Sequence, residues 1–224
     1  MTTAPDLDVL RARIRGMEQT GSRTGVELPT HPALAGLLQL RAGASYGVDS
    51  LSLAALMMAG PSAQGAWTAV VGVGDLGAEA FASLGVDLSR TVLVPDPAES
   101  WLEVTAALVD VAPLVVLRPP PRVSEGAAAK LAARLRKRSA ALVALGDWPR
   151  CEARLAVTGL RWTGPESGAG HGAGHLDGRH VDLLVRRGAG PAKEATLWIP
   201  ADGSVRRDRS AERMRPVTRL GEVG

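Results

Sequence analysis

The sequence predicts an α/β domain with a mainly parallel sheet, flanked by helices and finished by antiparallel strands. Three observations predict it. Between residues 44 and 145 short apolar runs alternate with helical patterns. The runs are continuously apolar rather than alternating, as in strands covered on both faces. The core must be built from Ala, Leu and Val, because the chain holds only five Trp, one Tyr and one Phe.

The elements follow in order. Residues 44–48 read as a strand and 50–59 as a helix ended by Gly60-Pro61; residues 66–73 read as a buried strand and 76–84 as a helix ended by Gly85. Residues 91–94 form a third strand, and Ser100 caps a helix that runs to Val109. Residues 113–117 are a fourth strand. Ser124 caps a long helix ending at Arg138, and the strand 140–145 follows. After Trp148-Pro149 the rhythm changes. Residues 154–163, 180–187 and 194–199 are strand-like with no helical pattern between them, which predicts antiparallel hairpins.

The core is accordingly expected over residues 26–200. Before it, residues 1–25 comprise an amphipathic helix and a linker. Leu7, Leu10, Ile14 and Met17 recur at helical spacing on one side, and residues 21–25 break the pattern. Such a helix docks either on its own domain or on a neighbouring protein. After the core, residues 201–224 read as a mobile tail carrying Arg206, Arg207, Arg209, Arg213, Arg215 and Arg219.

Composition narrows the class further. With 46% hydrophobic and 22% charged residues in 224, the chain folds, so wholesale disorder is excluded. Its apolar runs fall far short of the roughly 20 residues that span a membrane, and no signal pattern opens it, so a cytoplasmic protein is expected. A single cysteine, Cys151, suits a reducing compartment. The net charge of +3 is unevenly spread: residues 1–117 hold 6 basic and 12 acidic side chains, residues 118–161 hold 10 and 3. This basic band comprises Arg118, Arg122, Lys130, Arg134, Lys137 and Arg138 among others, and its candidate ligands are single-stranded or forked DNA or an acidic protein surface; plain solvation is the bland alternative.

Several stretches in order resemble a known family. Leu84-Gly85-Val86-Asp87 leads through Leu88-Ser89-Arg90 to residues 91–94 and Pro95-Asp96-Pro97, which resembles the core of the RecA recombinases. Together with Leu51-Ser52-Leu53-Ala54, Ala59-Gly60-Pro61-Ser62, Val70-Val71-Gly72-Val73, Arg118-Pro119-Pro120 and Leu145-Gly146-Asp147-Trp148-Pro149, it looks like the ImuA-type, RecA-like accessory factors of the damage-inducible mutasome. The resemblance covers residues 33–199. It implies a RecA-like, P-loop-derived core and a noncatalytic role in SOS-induced translesion synthesis. The partners it implies are an ImuB-type Y-family adaptor, RecA and a damage-induced C-family polymerase. The RecA-like division inhibitors of the SulA type, which bind the tubulin-like division protein, are the alternative.

The ATPase positions themselves read as degenerate. A phosphate-binding loop needs a Gly-rich run, a lysine and a Ser/Thr for magnesium. Aligned on Gly43 and Gly47, the lysine position is Val48 and the magnesium position Asp49; alternatively residues 43–48 are the first strand and the loop is deleted before Ser50. Both alignments lose the lysine. The acid expected after the strand 113–117 is Arg118, which cannot hold magnesium. Asp75 stands where recombinases carry a water-activating glutamate, or else caps the following helix. No cofactor is expected.

Other chemistry is weaker. His171, His175 and His180 with Asp177 have ligand-like spacing, but a Gly-rich segment is costly to order, so a mobile hairpin with His180 at an edge is the preferred reading. Ser50, Ser52 and Ser124 read as caps or packing residues. Cys151 lies between Arg150 and Arg154, which would lower its pKa, but reads as a turn residue.

Overall fold

The computed structural model of the protein describes residues 25–164 and 176–210. Its nine strands form one sheet in the order β3-β2-β4-β5-β1-β6-β7-β8-β9. They are β1 (Ser45–Val48), β2 (Thr68–Val71), β3 (Thr91–Val94), β4 (Leu114–Leu117), β5 (Ala141–Leu145), β6 (Ala153–Thr163), β7 (Gly178–Arg186), β8 (Lys193–Pro200) and β9 (Arg206–Arg207). β1 to β6 run parallel to one another; β7, β8 and β9 join by antiparallel pairs, β7 on β6, β8 on β7 and β9 on β8. The expected α/β class with antiparallel closing strands is thus the observed one.

Four helices cover the parallel half. α1 (Leu51–Ala63) and α2 (Ala78–Ser83) lie on one face, α3 (Trp101–Val109) and α4 (Glu125–Arg138) on the other. Strand β4 shows why its run is unbroken: Leu114 and Val116 enter the first core with Leu53, Met57 and Phe81, while Val115 and Leu117 enter the second with Val109, Leu131 and Leu135. Each face needs its own apolar side chain, so no polar residue alternates.

Two boundaries differ from expectation. α1 runs through Gly60-Pro61 to Ala63. Pro61 sits in the last turn, where its missing N–H forgoes one bond and no long stretch of helix follows. Gly60 is there for proximity: a Cβ on it would lie 2.6 Å from the Pro29 carbonyl oxygen and 2.8 Å from backbone atoms of Thr30 and His31. The second difference concerns Ser100, whose side chain caps nothing, because a 3-10 turn at Ala98–Ser100 already leads into α3. Ser124 does cap α4, its Oγ accepting from the Ala127 N–H at 3.1 Å.

The sheet also continues past residue 200. Arg206 and Arg207 pair with Trp198 and Leu197, and Arg207 donates to the Ala35 carbonyl at 3.3 Å. The start of the expected mobile tail is therefore an edge of the sheet, and residues 201–210 belong with the core. In the same way β8 and β9 lie outside β7, which makes His180 an inner-strand residue and not an edge one: its ring is 4.5 Å from that of Trp198, and Nε2 is 3.0 Å from Asp208 Oδ2. Leu7, Leu10, Ile14, Met17, His171, His175, Arg213, Arg215 and Arg219 lie outside the described residues.

Candidate functional site

In open α/β sheets ligands bind beyond the carboxyl ends of the strands, so the expected nucleotide position is the turn from β1 into α1. That turn consists of Asp49 and Ser50 alone. Gly47 and Val48 are inside β1, and Gly43 lies before its opposite end, packed on Arg136. No cradle of backbone N–H groups can form from two residues. Both side chains are also engaged. Asp49 Oδ2 accepts from the Val157 N–H at 2.9 Å, tying the turn to β6, and Ser50 Oγ caps α1 at the Leu53 N–H, 3.3 Å.

Two strand ends further along, β2 and β4 are joined by charge. The Arg118 guanidinium donates to both oxygens of Asp75, at 2.6 and 3.3 Å, and holds that carboxyl below its ordinary pKa. The backbones meet as well: the Arg118 N–H donates to the Val71 carbonyl, and Gly72, at φ +76°, would place a Cβ 2.7 Å from the Arg118 carbonyl oxygen. Asp75 is therefore not a helix cap; α2 begins at Ala78 after Gly77, with no side-chain cap.

The basic band divides by face along α4. Ala128, Leu131 and Leu135 are buried; Arg134 and Arg138 flank them on the α3 side, and both bond the carboxylate of Asp110, at 2.7 and 2.5 Å and at 3.1 and 3.4 Å. Those two guanidinium groups hold Asp110 at a pKa of about 2, Arg134 contributing most. Arg122, Lys130 and Lys137 are exposed and make no ion pair among the described residues. Of the six cations singled out in the band, these three are thus without an ion pair among the described residues, and Arg118, Arg134 and Arg138 are already paired. Arg136, on the opposite flank of α4, joins the exposed set although the sequence pattern did not single it out.

Two further features escaped the sequence reading. Asp182, 4% exposed within β7, is bonded by Arg161 at 2.5 and 3.4 Å and by the Thr196 hydroxyl at 2.7 Å. Nothing in a strand-like run announces a carboxylate with its partner on a neighbouring strand. The second is a mostly apolar cavity of about 180 Å³ between α1 and the β6–β8 layer, walled by Leu53, Leu56, Leu84, Val181, Leu197 and Ile199. Arg179 stands at its polar side, donating to Ser52 Oγ at 3.3 Å and stacked on Trp162.

Among the described residues no three His, Cys, Asp or Glu side chains form a metal-binding group, and no helix is long and apolar enough to cross a membrane. Burial pushes the Cys151 thiol up, overriding the nearby Arg154, so the expected lowering does not occur.

The profile of the MT3502 N-terminal domain family matches residues 33–150, more than half of the chain. The chain belongs to that family. The match takes in β1 to β5 and all four helices, so the MT3502 N-terminal domain corresponds to the parallel half of this sheet, and the antiparallel layer lies beyond it. The chain is similar to Rv3395c, an uncharacterized protein of Mycobacterium tuberculosis, at 37% identity over 138 residues. That alignment covers 61% of this chain and 66% of the relative, just under two thirds of the relative's length.

Proposed function

We propose that this MT3502-type chain is a noncatalytic scaffold of RecA-like ancestry that serves damage-induced, error-prone DNA synthesis in the cytoplasm, alongside the nucleoid. The observation that carries the noncatalytic part is the β1–α1 turn. With Asp49 bound to β6 and Ser50 capping α1, two residues stand where a phosphate loop would need several more. The Arg118–Asp75 pair supports the same reading, because Asp75, the acid after β2, is bonded by Arg118 instead of being free for magnesium.

The choice of pathway rests on the resemblance of residues 33–199 to ImuA-type factors. On that reading the sheet is a rigid platform, the partner is an ImuB-type adaptor, and Arg122, Lys130 and Lys137 offer phosphate contacts to single-stranded or forked DNA. Capture of the tagged full chain from DNA-damaged cells, with mass spectrometry of what is retained, tests it. Recovery of the Y-family adaptor, and loss of damage-induced mutation on gene deletion with division intact, are the expected results. Recovery of the tubulin-like division protein instead, with division arrest on overexpression, would replace this function with the SulA-type one.

A further inference from the structure

Strand β7 turns Arg179, Val181, Leu183 and Val185 to one face, and the last three are buried in the core that α1 covers. Arg179 therefore stands where the pattern of its own strand calls for an apolar side chain. Across the sheet it is paired with Trp162 on β6 and Ile199 on β8, and the next row is Leu160, Val181 and Leu197. Between these rows and Leu53 and Leu56 of α1 lies the apolar cavity of about 180 Å³.

Arg179 is the one charged residue in the wall of that cavity. Among the described residues it makes no ion pair and a single hydrogen bond, to Ser52 Oγ at 3.3 Å, which leaves most of its guanidinium N–H donors open. The other polar side chains of the wall are Ser50 and Ser52. They accept from the Leu53 N–H and from Arg179, and neither gives its hydroxyl hydrogen to another described residue. Every polar side chain of the wall can thus donate, and none is acidic. The neighbouring Asp49 lies outside the wall and exposed, with Oδ2 accepting from the Val157 N–H.

We infer that this cavity is a binding site for a small monocarboxylate, its carboxylate on Arg179 and Ser52 and its apolar body against Leu53, Leu56 and Val181. Charge sets the head group. One guanidinium balances one negative charge, and a planar carboxylate accepts two of its N–H bonds side by side. A dianion would bring excess charge into apolar surroundings, and a neutral ligand would leave the cation unmatched. Volume sets the body. An apolar cavity of roughly 150 Å³ takes up a benzene ring, so 180 Å³ admits about six carbons and falls short of the roughly 300 Å³ at which sites for larger ligands begin. The occupant would also join two parts of the chain, since Leu53 and Leu56 belong to the MT3502 domain and Val181 and Leu197 to the antiparallel layer beyond it.

Hexanoate tests this on the full chain, with hexanol and acetate as its separate halves. Saturable calorimetric binding of hexanoate in the millimolar range is expected, with shifts of the Leu56, Val181 and Leu197 methyl NMR signals and none at Leu131 and Leu135 in the opposite core. Hexanol and acetate should each bind at least tenfold more weakly, because one lacks the charge and the other the buried methylenes. Absence of saturable hexanoate binding, equal affinity for either control, or shifts confined to other residues would each overturn the inference. Arg179→Met should weaken hexanoate at least tenfold and leave hexanol unchanged; a folded variant that binds hexanoate as the original does would overturn it too. If that variant does not fold, the comparison of hexanoate with hexanol on the unaltered protein decides.

Discussion

Arg118, the first residue after β4, holds Asp75, four residues after β2, through two hydrogen bonds of 2.6 and 3.3 Å. The cation and the acid face each other, and the β1–α1 turn, two strands away along the sheet, is only two residues long. The expected outcome is that millimolar ATP with magnesium gives neither heat in calorimetry nor a rise in melting temperature. Arg118→Asp should remain equally silent, because an acid at the strand end does not by itself make a phosphate cradle. A saturable heat from either protein would show a nucleotide site elsewhere on the sheet.

The division of the basic band by ion pairing predicts which cations report on DNA. Lys130 and Lys137 lie one above the other, seven residues apart on α4, and neither is paired among the described residues, whereas Arg134 and Arg138 share Asp110. If both lysines touch phosphates, Lys130→Ala/Lys137→Ala weakens binding to single-stranded DNA and lowers the log–log salt slope by roughly 1.4, at about 0.7 for each contact. Arg134→Ala should leave that slope nearly unchanged. Equal losses from the two variants would mean that the Asp110 pairs open for the ligand.

How much of this was legible in the residues depends on whether the cause was local. β1 to β5 and α4 follow from continuous apolar runs, from Ser124 before a helical pattern and from Gly85 after one, and all stand within a few residues of expectation. What escaped was set by neighbours distant in sequence. Gly60 lies mid-helix because residues 29–31 cross it, and Asp110 neutralises two arginines from the next helix along the sheet. Arg206 and Arg207 look like tail residues because a two-residue edge strand has no period to recognise. At the start of α1 the reverse held: the residue types over 43–50 were legible, but only the bounds of β1 and α1 show that two residues separate them.

Gly60 gives a prediction about packing. Alanine is the better helix former by about 1 kcal/mol, so an exposed glycine at this position would favour the exchange. Here the new methyl would meet three backbone atoms at 2.6–2.8 Å, none of which can rotate away. Gly60→Ala should therefore destabilise by about 1–3 kcal/mol in urea unfolding, the overpacking cost outweighing helix propensity. A gain in stability would mean that the crossing segment 29–31 yields easily.

The Arg161–Asp182 pair is asymmetric, with the guanidinium side chain 54% exposed and the carboxylate 6%. Removing the arginine leaves a buried charge with the Thr196 hydroxyl bonded to it, so Arg161→Met should cost about 3 kcal/mol despite its surface position. Adding Asp182→Asn should restore part of that loss, since an amide carries no charge to desolvate. Denaturant midpoints for the two variants check both statements; an Arg161→Met protein as stable as the original would show that the pair contributes nothing net.

Asp110 supplies a pH dependence of determined sign. Its folded pKa of about 2 lies below the ordinary 3.8, so folding favours the ionised form, and the carboxylate's contribution is complete above the ordinary value. That contribution declines as pH falls from about 4 towards 2, where the folded protein too takes up the proton. In melting curves, Asp110→Asn should lower the transition at neutral pH and flatten its fall between pH 4 and 2. Arg134 and Arg138 are each nearly half exposed, so added salt should narrow the difference between the two proteins. A variant whose melting temperature tracks the original at every pH would mean that α3 and α4 are joined by their apolar contacts alone, with the shared carboxylate as ornament to Val109 and Leu131.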